Sequence, residues 1–361
     1  MAQIDQYLKA MLDCGGSDLH VACGSPVKAR ISGVIQPLTE QPLSAEQIAR
    51  LLKEIVSEER WQAFLQDHDL DLAYEIAGVA RFRGSFLYTR QGQAAVFRQI
   101  PAKILSFEQL DLPPVLAEVC QFREGLVLVT GPTGSGKSTT LAAMVDYINT
   151  NFTKHIITIE DPIEFVHSPK NSVIIHREVG DHSDSFADAL RGAMRADPDI
   201  VLVGEMRELE TIRLALNCAS MGMLVFATLH TNSAPKTIDR IIDAFPGDEQ
   251  PQIRVMLAST LACVVSQLLC KKIGGGRCAV QEVLLRHDAL PNTIRSGQIS
   301  AVRNIIEGGQ GQGMRLMDTS LKQRIQEGLI TPEEAYMKAA DKDQFAAFLK
   351  QSGHQVATVG M

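Results

Sequence analysis

This sequence of 361 residues has no apolar run long enough to cross a membrane. A bilayer-spanning helix needs about 20 consecutive apolar residues. The longest candidate, residues 255–270, is shorter and is interrupted by polar side chains. We expect this run to form a buried helix. The N-terminal residues also lack the apolar core of a secretory signal. These absences argue against a protein that spans the membrane.

Paired cysteines and an excess of positive charge are missing as well. The seven cysteines form no C-x-x-C pair, which argues against a zinc site, and their odd number is typical of reduced thiols in the cytoplasm. The net charge of −7 argues against a dedicated nucleic-acid partner. The remaining composition is that of a globular cytoplasmic protein, and the length predicts two or three domains.

The first hundred residues combine helical and strand patterns. Apolar residues recur at helical spacing over residues 4–12, and Ser44 with Gln47 fits a capping box. Residues 69–100 predict a series of strands broken at glycines. Prolines 101, 113 and 114 then mark a connector. We therefore predict a small α+β domain over residues 1–101 and a linker over residues 102–113.

Beyond the linker, short apolar strands alternate with helices. The predicted strands are mostly apolar, as strands covered on both faces must be, and lie at residues 125–129, 156–159, 172–175, 200–203 and 224–228. This alternation predicts an α/β domain with a mainly parallel sheet over residues 114–287. Helical patterns predominate over residues 288–361, where Thr331-Pro332 followed by acidic residues marks a helix start.

The segment GPTGSGKS, residues 131–138, follows the first of these strands and precedes a helix. That is the order of elements in a phosphate-binding P-loop. Its glycines let successive backbone N–H groups turn toward phosphate oxygens. Lys137 can reach the β- and γ-phosphates, and Ser138 offers a hydroxyl to Mg²⁺. We therefore expect ATP and Mg²⁺ to bind here, at Gly131, Thr133, Gly134, Ser135, Gly136, Lys137, Ser138 and Thr139.

Carboxylates and a histidine follow three other predicted strands. Glu164 ends the acidic segment 160–164 and is a candidate for activating water. Glu205 stands in a Walker-B-like position and is expected to hold Mg²⁺ through water. His230 is positioned to sense the γ-phosphate. The alternatives are a solvated acidic turn, a plain surface glutamate and a structural or merely exposed histidine.

Phosphoryl transfer also needs positive charge at the transition state. Arg81 and Arg83 lie two residues apart, on one face of a predicted strand, and Arg90 and Arg98 follow. Exposed arginines on a sheet are commonly just solvated. In a ring of subunits, however, they would reach a neighbour's nucleotide as arginine fingers.

With these segments in view, the chain resembles the secretion-type ATPases, and most closely the PilT group of type IV pilus retraction motors. The matching stretches are GGSDLH (15–20), GVARFR (78–83), GPTGSGKSTTLAAM (131–144), TIEDPIEFVH (158–167), RADPDIVLVGEMRELETIRLAL (195–216), TLHTNSA (228–234), KKIGGGR (271–277) and GMRLMD (313–318). The resemblance implies a PAS-like N-terminal domain, a RecA-like ATPase domain and a C-terminal helical region. It also implies a hexameric ring that binds nucleotide between the two domains.

The resemblance assigns roles to individual residues. Lys137, Glu164, Glu205 and His230 correspond to the Walker A, Asp box, Walker B and His box residues. Arg83 and Arg98 correspond best to arginine fingers, and Arg81 less well. The implied function is a Mg²⁺-dependent ATPase motor for pilus retraction and twitching motility. It would work at the cytoplasmic face of the inner membrane, on a platform protein and with a paralogous retraction ATPase as a further partner.

Two departures from the family pattern keep an alternative open. Met223 replaces one of the two histidines of the His box, and Pro291 interrupts a segment at 289–296 that in retraction motors usually reads like AIRNLIRE. Catalysis should tolerate both changes better than coupling to the pilus machine would, so an accessory PilU-like subunit that binds ATP but turns it over weakly stays open. Relatives that extend pili usually carry a longer N-terminal region and a tetracysteine zinc site, and their absence here favours retraction. A small-molecule kinase is a weaker alternative, because no substrate lid is evident.

Overall fold

The computed structural model describes residues 2–100 and 103–352, so the predicted role of Pro101 in a connector lies outside the described residues. The chain forms two compact units. The first consists of Met1–Lys103 with Pro162–Val166, and the second of Ile104–Asp161 with the residues from His167 onward. The domain boundaries predicted at residues 101, 113 and 287 stay predictions.

The first unit is a six-stranded antiparallel sheet with three helices. Its elements are α1 (Asp5–Asp13), β1 (Gly16–Ala22), β2 (Pro26–Ile31), β3 (Val34–Pro42), α2 (Ala45–Lys53), α3 (Glu58–Asp67), β4 (Asp69–Ile76), β5 (Ala80–Thr89) and β6 (Gly92–Ile100). The strand order is β3-β2-β1-β6-β5-β4, and every neighbouring pair is antiparallel. This arrangement gives the sheet one face that is packed against helices and one that carries polar residues.

Local sequence explains where these elements begin and turn. Ser44 caps α2 by accepting a hydrogen bond from the backbone N–H of Gln47, and the Gln47 side chain accepts in return from the Ser44 N–H, which confirms the predicted capping box. Ser32 and Gly33 both have positive φ values, 50° and 86°, as a tight hairpin between β2 and β3 requires. Along β5 buried and half-buried residues alternate, so Arg81 and Arg83 share one face.

The second unit contains the remaining elements. They are α4 (Phe107–Leu110), α5 (Val115–Val119), β7 (Gly125–Thr130), α6 (Lys137–Asn151), β8 (His155–Glu160), β9 (Val173–Glu178), α7 (Phe186–Ala193), β10 (Ile200–Val203), α8 (Leu209–Ser220), β11 (Leu224–Leu229), α9 (Ala234–Asp243), α10 (Gln250–Thr260), β12 (Leu261–Lys271), β13 (Arg277–Leu285), α11 (Leu290–Arg295), α12 (Val302–Gly308), α13 (Met317–Gln326), α14 (Pro332–Lys338) and α15 (Lys342–Gln351). Two short 3₁₀ turns, Ile299–Ala301 and Gln310–Gln312, flank α12.

The sheet of the second unit has seven strands in the order β13-β12-β7-β11-β10-β8-β9. All neighbours are parallel except β12 and β13, which form an antiparallel hairpin. Every residue of the central strands β7, β11 and β10 is buried. The predicted α/β class, with an α+β N-terminal part, a mainly parallel sheet and helices at the C-terminal end, is confirmed.

The prediction of one buried helix over residues 255–270 is wrong. Helix α10 ends at Thr260, and the chain continues directly as strand β12. Residues 261–267 of strand β12 are all buried, so both faces of this part of the strand are covered and its sequence does not alternate. A continuous apolar run of this kind has no periodicity that separates a buried strand from a buried helix.

Pro291 does not break the first turn of its helix. It is the second residue of α11, where the backbone nitrogen has no helical acceptor to lose. The helix start predicted at Thr331 is confirmed, because its hydroxyl accepts a hydrogen bond from the Glu334 N–H at the beginning of α14.

Candidate active site

A glycine-rich loop, residues 131–136, connects β7 to α6. Its three glycines have φ values of 145° (Gly131), 77° (Gly134) and 85° (Gly136), a region that other residues rarely enter. A Cβ atom added to Gly131 would lie 2.3 Å from the carbonyl oxygen of Gln267 on β12. The loop therefore needs glycine both for its turns and for its close approach to the sheet.

Lys137 opens helix α6 immediately after this loop. Its Nζ donates to the carbonyl oxygens of Gly131, at 3.0 Å, and Pro132, at 3.2 Å, which holds the ammonium group over the start of the loop. Ser138 and Thr139 follow in the first turn of α6, where backbone N–H groups have no partner within the helix and the helix dipole is positive. This combination of lysine, loop amides and helix N-terminus is suited to bind phosphate groups.

The neighbouring strands β10 and β11 bring Glu205 and His230 together. Both residues follow the carboxyl ends of parallel strands, which meet at the same edge of the sheet. Glu205 Oε1 accepts hydrogen bonds from His230 Nε2 and from Arg207 Nε, each at 2.7 Å. The Glu205 side chain is 20% exposed, so these bonds are only partly screened by water.

The environment of Glu205 keeps it ionised. Burial raises the pKa of the Glu205 carboxyl, but the hydrogen bond and charge of Arg207 and the charge of His230 outweigh burial, and the pKa lies below its ordinary value. Glu205 in turn raises the pKa of Arg207. At neutral pH the sheet edge therefore presents a carboxylate that can face a cation.

The turn that carries Glu205 is held by strands on both sides. Gly204 N–H donates to the carbonyl oxygen of Ile159 at 2.8 Å, and its own carbonyl accepts from the Thr228 hydroxyl at 2.5 Å. The Met206 N–H donates to the Thr228 carbonyl at 3.1 Å. A Cβ on Gly204 would lie 3.3 Å from the Glu160 backbone, which is tighter than ordinary contact. These bonds hold the backbone on either side of Glu205 and so fix the position of this residue at the end of β10.

Glu164 belongs to the other compact unit. It lies in Pro162–Val166, which packs with the first unit, whereas Glu160 and Asp161 remain with the end of β8 in the second. The role of Glu164 in activating water stays a prediction.

The predicted arginine fingers lie side by side on the first sheet. Arg83 of β5 and Arg98 of β6 are direct cross-strand neighbours. Arg83 Nη2 lies 3.4 Å from Asp71 Oδ2, and Arg98 Nε lies 2.7 Å from Asp18 Oδ1. Both guanidinium groups are thus paired within their own unit, and their action on a neighbour's nucleotide stays a prediction.

Three residues around the glycine-rich loop and the Glu205–His230 pair were not predicted from the sequence. Arg207 bonds Glu205, Thr228 supports its turn, and Gln267 contacts the glycine-rich loop. Arg207 could have been found, since it lies two residues after Glu205 in the motif already recognised. Gln267 is one of the polar residues in the run 255–270, which was interpreted as a helix. That interpretation gave no reason to place Gln267 on a strand beside the loop.

Within residues 2–100 and 103–352, no group of three or more His, Cys, Asp or Glu side chains is arranged to hold a metal ion. A Mg²⁺ ion bound with few protein ligands is compatible with this, since Mg²⁺ usually relies on water and substrate phosphates. In the same described residues no helix is both long and apolar enough to cross a membrane.

Comparison with known proteins confirms the predicted resemblance. The family model for type II/IV secretion system proteins matches residues 1–358. The chain is 47% identical, over 331 residues, to the type IV pilus retraction ATPase PilT of Pseudomonas aeruginosa, which covers 92% of this chain and 96% of the relative. It is 37% identical, over 349 residues, to the type IV pilus ATPase PilU of the same organism, with coverage of 96% and 91%. A crystal structure of the pilus retraction motor PilT with bound ADP matches with a TM-score of 0.87 at 43% identity, covering 95% of this chain and 98% of that one.

Proposed function

We propose that this chain, which belongs to the family of type II/IV secretion system proteins, is an ATPase motor that powers type IV pilus retraction and twitching motility. The observation that carries the proposal is the presence of two sites on one sheet edge: the glycine-rich loop after β7, and the Glu205–His230 pair after β10 and β11. The greater similarity to PilT than to PilU supports the motor over the accessory subunit.

The loop would bind ATP through its phosphates. Lys137 already holds two backbone carbonyls with its ammonium group, and the phosphate oxygens of ATP would replace them as stronger, charged acceptors. The loop N–H groups and the first turn of α6 would bind the remaining phosphate oxygens. The residues proposed to contact ATP are Gly131, Thr133, Gly134, Ser135, Gly136, Lys137, Ser138 and Thr139.

Ser138 and Glu205 would hold Mg²⁺. A hydroxyl and an ionised carboxylate are the hard oxygen ligands that this ion prefers. Both hydrogen bonds to Glu205 reach Oε1, so Oε2 is the oxygen proposed to face the hydrated ion. The bound ion would neutralise charge on the β- and γ-phosphates. His230 would report the occupancy of the site through its bond to Glu205, and Glu164 would orient and deprotonate the attacking water.

We propose that six copies form a ring in which Arg83 and Arg98 act on a neighbour's nucleotide. The partner of Arg83 is the exposed Asp71, and such an ion pair contributes only about 0–1 kcal/mol. The partner of Arg98 is the buried Asp18, which has Ser17 and Arg30 as further partners. Exchanging the carboxylate for a phosphate would therefore cost little stability for Arg83 and more for Arg98. The proposed partner of the ring is the platform protein of the pilus machine at the cytoplasmic face of the inner membrane, with a paralogous retraction ATPase as a further partner.

Met223 lies away from the Glu205–His230 pair, and Pro291 does not disturb its helix. Met223 precedes β11 and is buried in the core, whereas His230 follows the other end of that strand. Six strand residues separate them, or about 20 Å at the rise of an extended chain. Pro291 is accommodated in α11. Neither residue supplies a reason for weak turnover, which favours the motor over the PilU-like accessory subunit.

The test combines an activity with a biological readout. The purified chain is assayed for steady-state ATP hydrolysis, and the same gene is expressed in a strain that lacks its own retraction ATPase and cannot twitch. The proposal expects both hydrolysis and restored twitching motility. Hydrolysis without twitching would contradict the role in retraction, and ATP binding without hydrolysis would support the accessory subunit instead.

A further inference from the structure

Gln267 of β12 lies directly beneath the glycine-rich loop. It is 1% exposed and stands opposite Gln281 of β13. A Cβ atom on Gly131 would lie 2.3 Å from its carbonyl oxygen, and one on Gly136 would lie 3.0 Å from its Nε2. Both ends of the loop are therefore in close contact with Gln267.

The side-chain amide of Gln267 joins the loop to helix α6. Its Nε2 donates to the Ser135 carbonyl at 2.7 Å, and its Oε1 accepts from the Thr140 hydroxyl at 2.9 Å. Gln281 Nε2 donates to the same Oε1 at 3.3 Å. Because a backbone carbonyl can only accept, the contact with Ser135 fixes which end of the amide is the nitrogen.

The bond to Ser135 has a consequence for phosphate binding. The Ser135 carbonyl and the Gly136 N–H belong to one trans peptide unit, so they point in opposite directions. With the carbonyl held down against Gln267, the Gly136 N–H turns away from the sheet. That N–H is then oriented before any phosphate arrives, which reduces the ordering that binding would otherwise require.

We propose that Gln267 is a positioning residue of the phosphate-binding loop, acting on ATP through Ser135 and Thr140 rather than by contact. This inference rests on the proposed function in that the loop must bind ATP. Gln281 supports the amide from behind and is anchored in turn, because its backbone N–H donates to the Ser320 hydroxyl of α13 at 3.2 Å. Gln281 makes the smaller contribution, since Gln267 keeps its bonds to the loop and to α6 without it.

The experiment compares Gln267→Met with Gln281→Met in the full chain. Both residues are buried glutamines on the same hairpin, and methionine keeps the volume while removing the hydrogen bonds. For Gln267→Met we expect the KM for ATP to rise about tenfold, the size of effect that a buried unpaired acceptor produces. The kcat at saturating ATP should stay within about twofold, because only binding is affected. For Gln281→Met the KM should rise less than about threefold.

ADP titration and thermal unfolding of the nucleotide-free variants separate positioning from general damage. Weaker ADP binding by Gln267→Met, with an unfolding midpoint similar to that of Gln281→Met, supports the proposal. Equal losses of ADP affinity in the two variants, or a fall in kcat with unchanged KM, would overturn it.

A second variant covers the case in which Gln267→Met does not fold. Thr140→Val removes one of the two bonds while keeping the side-chain shape, and its KM should rise about fivefold; an unchanged KM counts against the proposal. The proposed function is judged separately, on hydrolysis by the unsubstituted chain.

Discussion

The two sheets of this protein carry their charged residues in different ways. In the first sheet, charged residues alternate with apolar ones along strands such as β4 and β5, and arginines pair with carboxylates of neighbouring strands, as in Arg83–Asp71 and Arg98–Asp18. In the second sheet, the three central strands β7, β11 and β10 contain no charged residue, and the charged groups follow their carboxyl ends.

This difference teaches where single substitutions should matter. A pair on an exposed face is one of several similar pairs and contributes little alone. A group at a central strand end is held in one direction by the strands beside it, as Glu205 is held through Gly204. We therefore expect large functional effects at the second sheet and small stability effects at the first.

The largest effect is expected for Lys137→Ala and Glu205→Ala. Each removes a charge that is proposed to contact the phosphates or their metal ion, so the rate of ATP hydrolysis should fall at least about a hundredfold. Steady-state phosphate release measures this effect. Lys350→Ala, an exposed lysine of α15, is the control and should keep the original rate. A normal rate in either of the first two variants would defeat the assignment of the site.

Glu164→Gln should slow hydrolysis about a hundredfold while ATP binding is largely kept, since a general base typically contributes this much. Single-turnover hydrolysis and ATP titration separate the two quantities. The exposed Glu333→Gln in α14 is the matched control. If Glu164→Gln loses ATP binding instead, its role is structural.

Much of this contrast was visible in the sequence, because its signals are local. The strand, loop and helix around Lys137 are contiguous, and the strand ends before Glu205 and His230 follow from the apolar runs that precede them. In a parallel sheet the carboxyl ends of neighbouring strands lie at the same edge, so these residues could be expected to lie near one another. The hydrogen bond between Glu205 and His230 depends on which strands are neighbours in the sheet. The spacing of residues in the sequence does not reveal that strand order.

The hairpin β12–β13 shows what the sequence could not predict. Its first strand is covered on both faces, so its apolar run resembles a buried helix. Once Gln267 was assigned to a helix, nothing linked it to Ser135, which lies 132 positions away. Contacts of this range are set by the packing of the whole sheet, and the residues that support the loop were missed for that reason.

Substitutions of arginines in the first sheet test whether its ion pairs contribute little to stability. Arg83→Ala should change the free energy of unfolding by less than about 1 kcal/mol, because its partner Asp71 is exposed. Arg98→Ala should lower it by about 1–3 kcal/mol, because it removes a hydrogen bond from the buried Asp18. If they act as fingers, hydrolysis by the assembled ring should nevertheless fall about a hundredfold or more. Denaturant unfolding and ATP hydrolysis are measured on the same variants, with the exposed Arg50→Ala of α2 as control. Unchanged hydrolysis in both would leave these arginines as solvated surface pairs.

The smallest effect concerns the pH dependence of the Asp18–Arg98 pair. Burial raises the pKa of Asp18, but hydrogen bonds from Ser17 and Arg98 outweigh it, so its pKa in the folded chain lies below the ordinary value. The stability that this group contributes is therefore present above the unfolded pKa of about 3.9 and is lost as the pH falls through the lower folded value. Asp18→Asn should be less stable than the unsubstituted chain by about 1 kcal/mol at pH 7, and this gap should shrink in strongly acidic solution. Denaturant unfolding at both pH values measures this difference in the free energy of unfolding. A difference that does not change with pH would show that the charge of Asp18 contributes nothing to stability. The ion pairs of the first sheet would then matter even less than we expect.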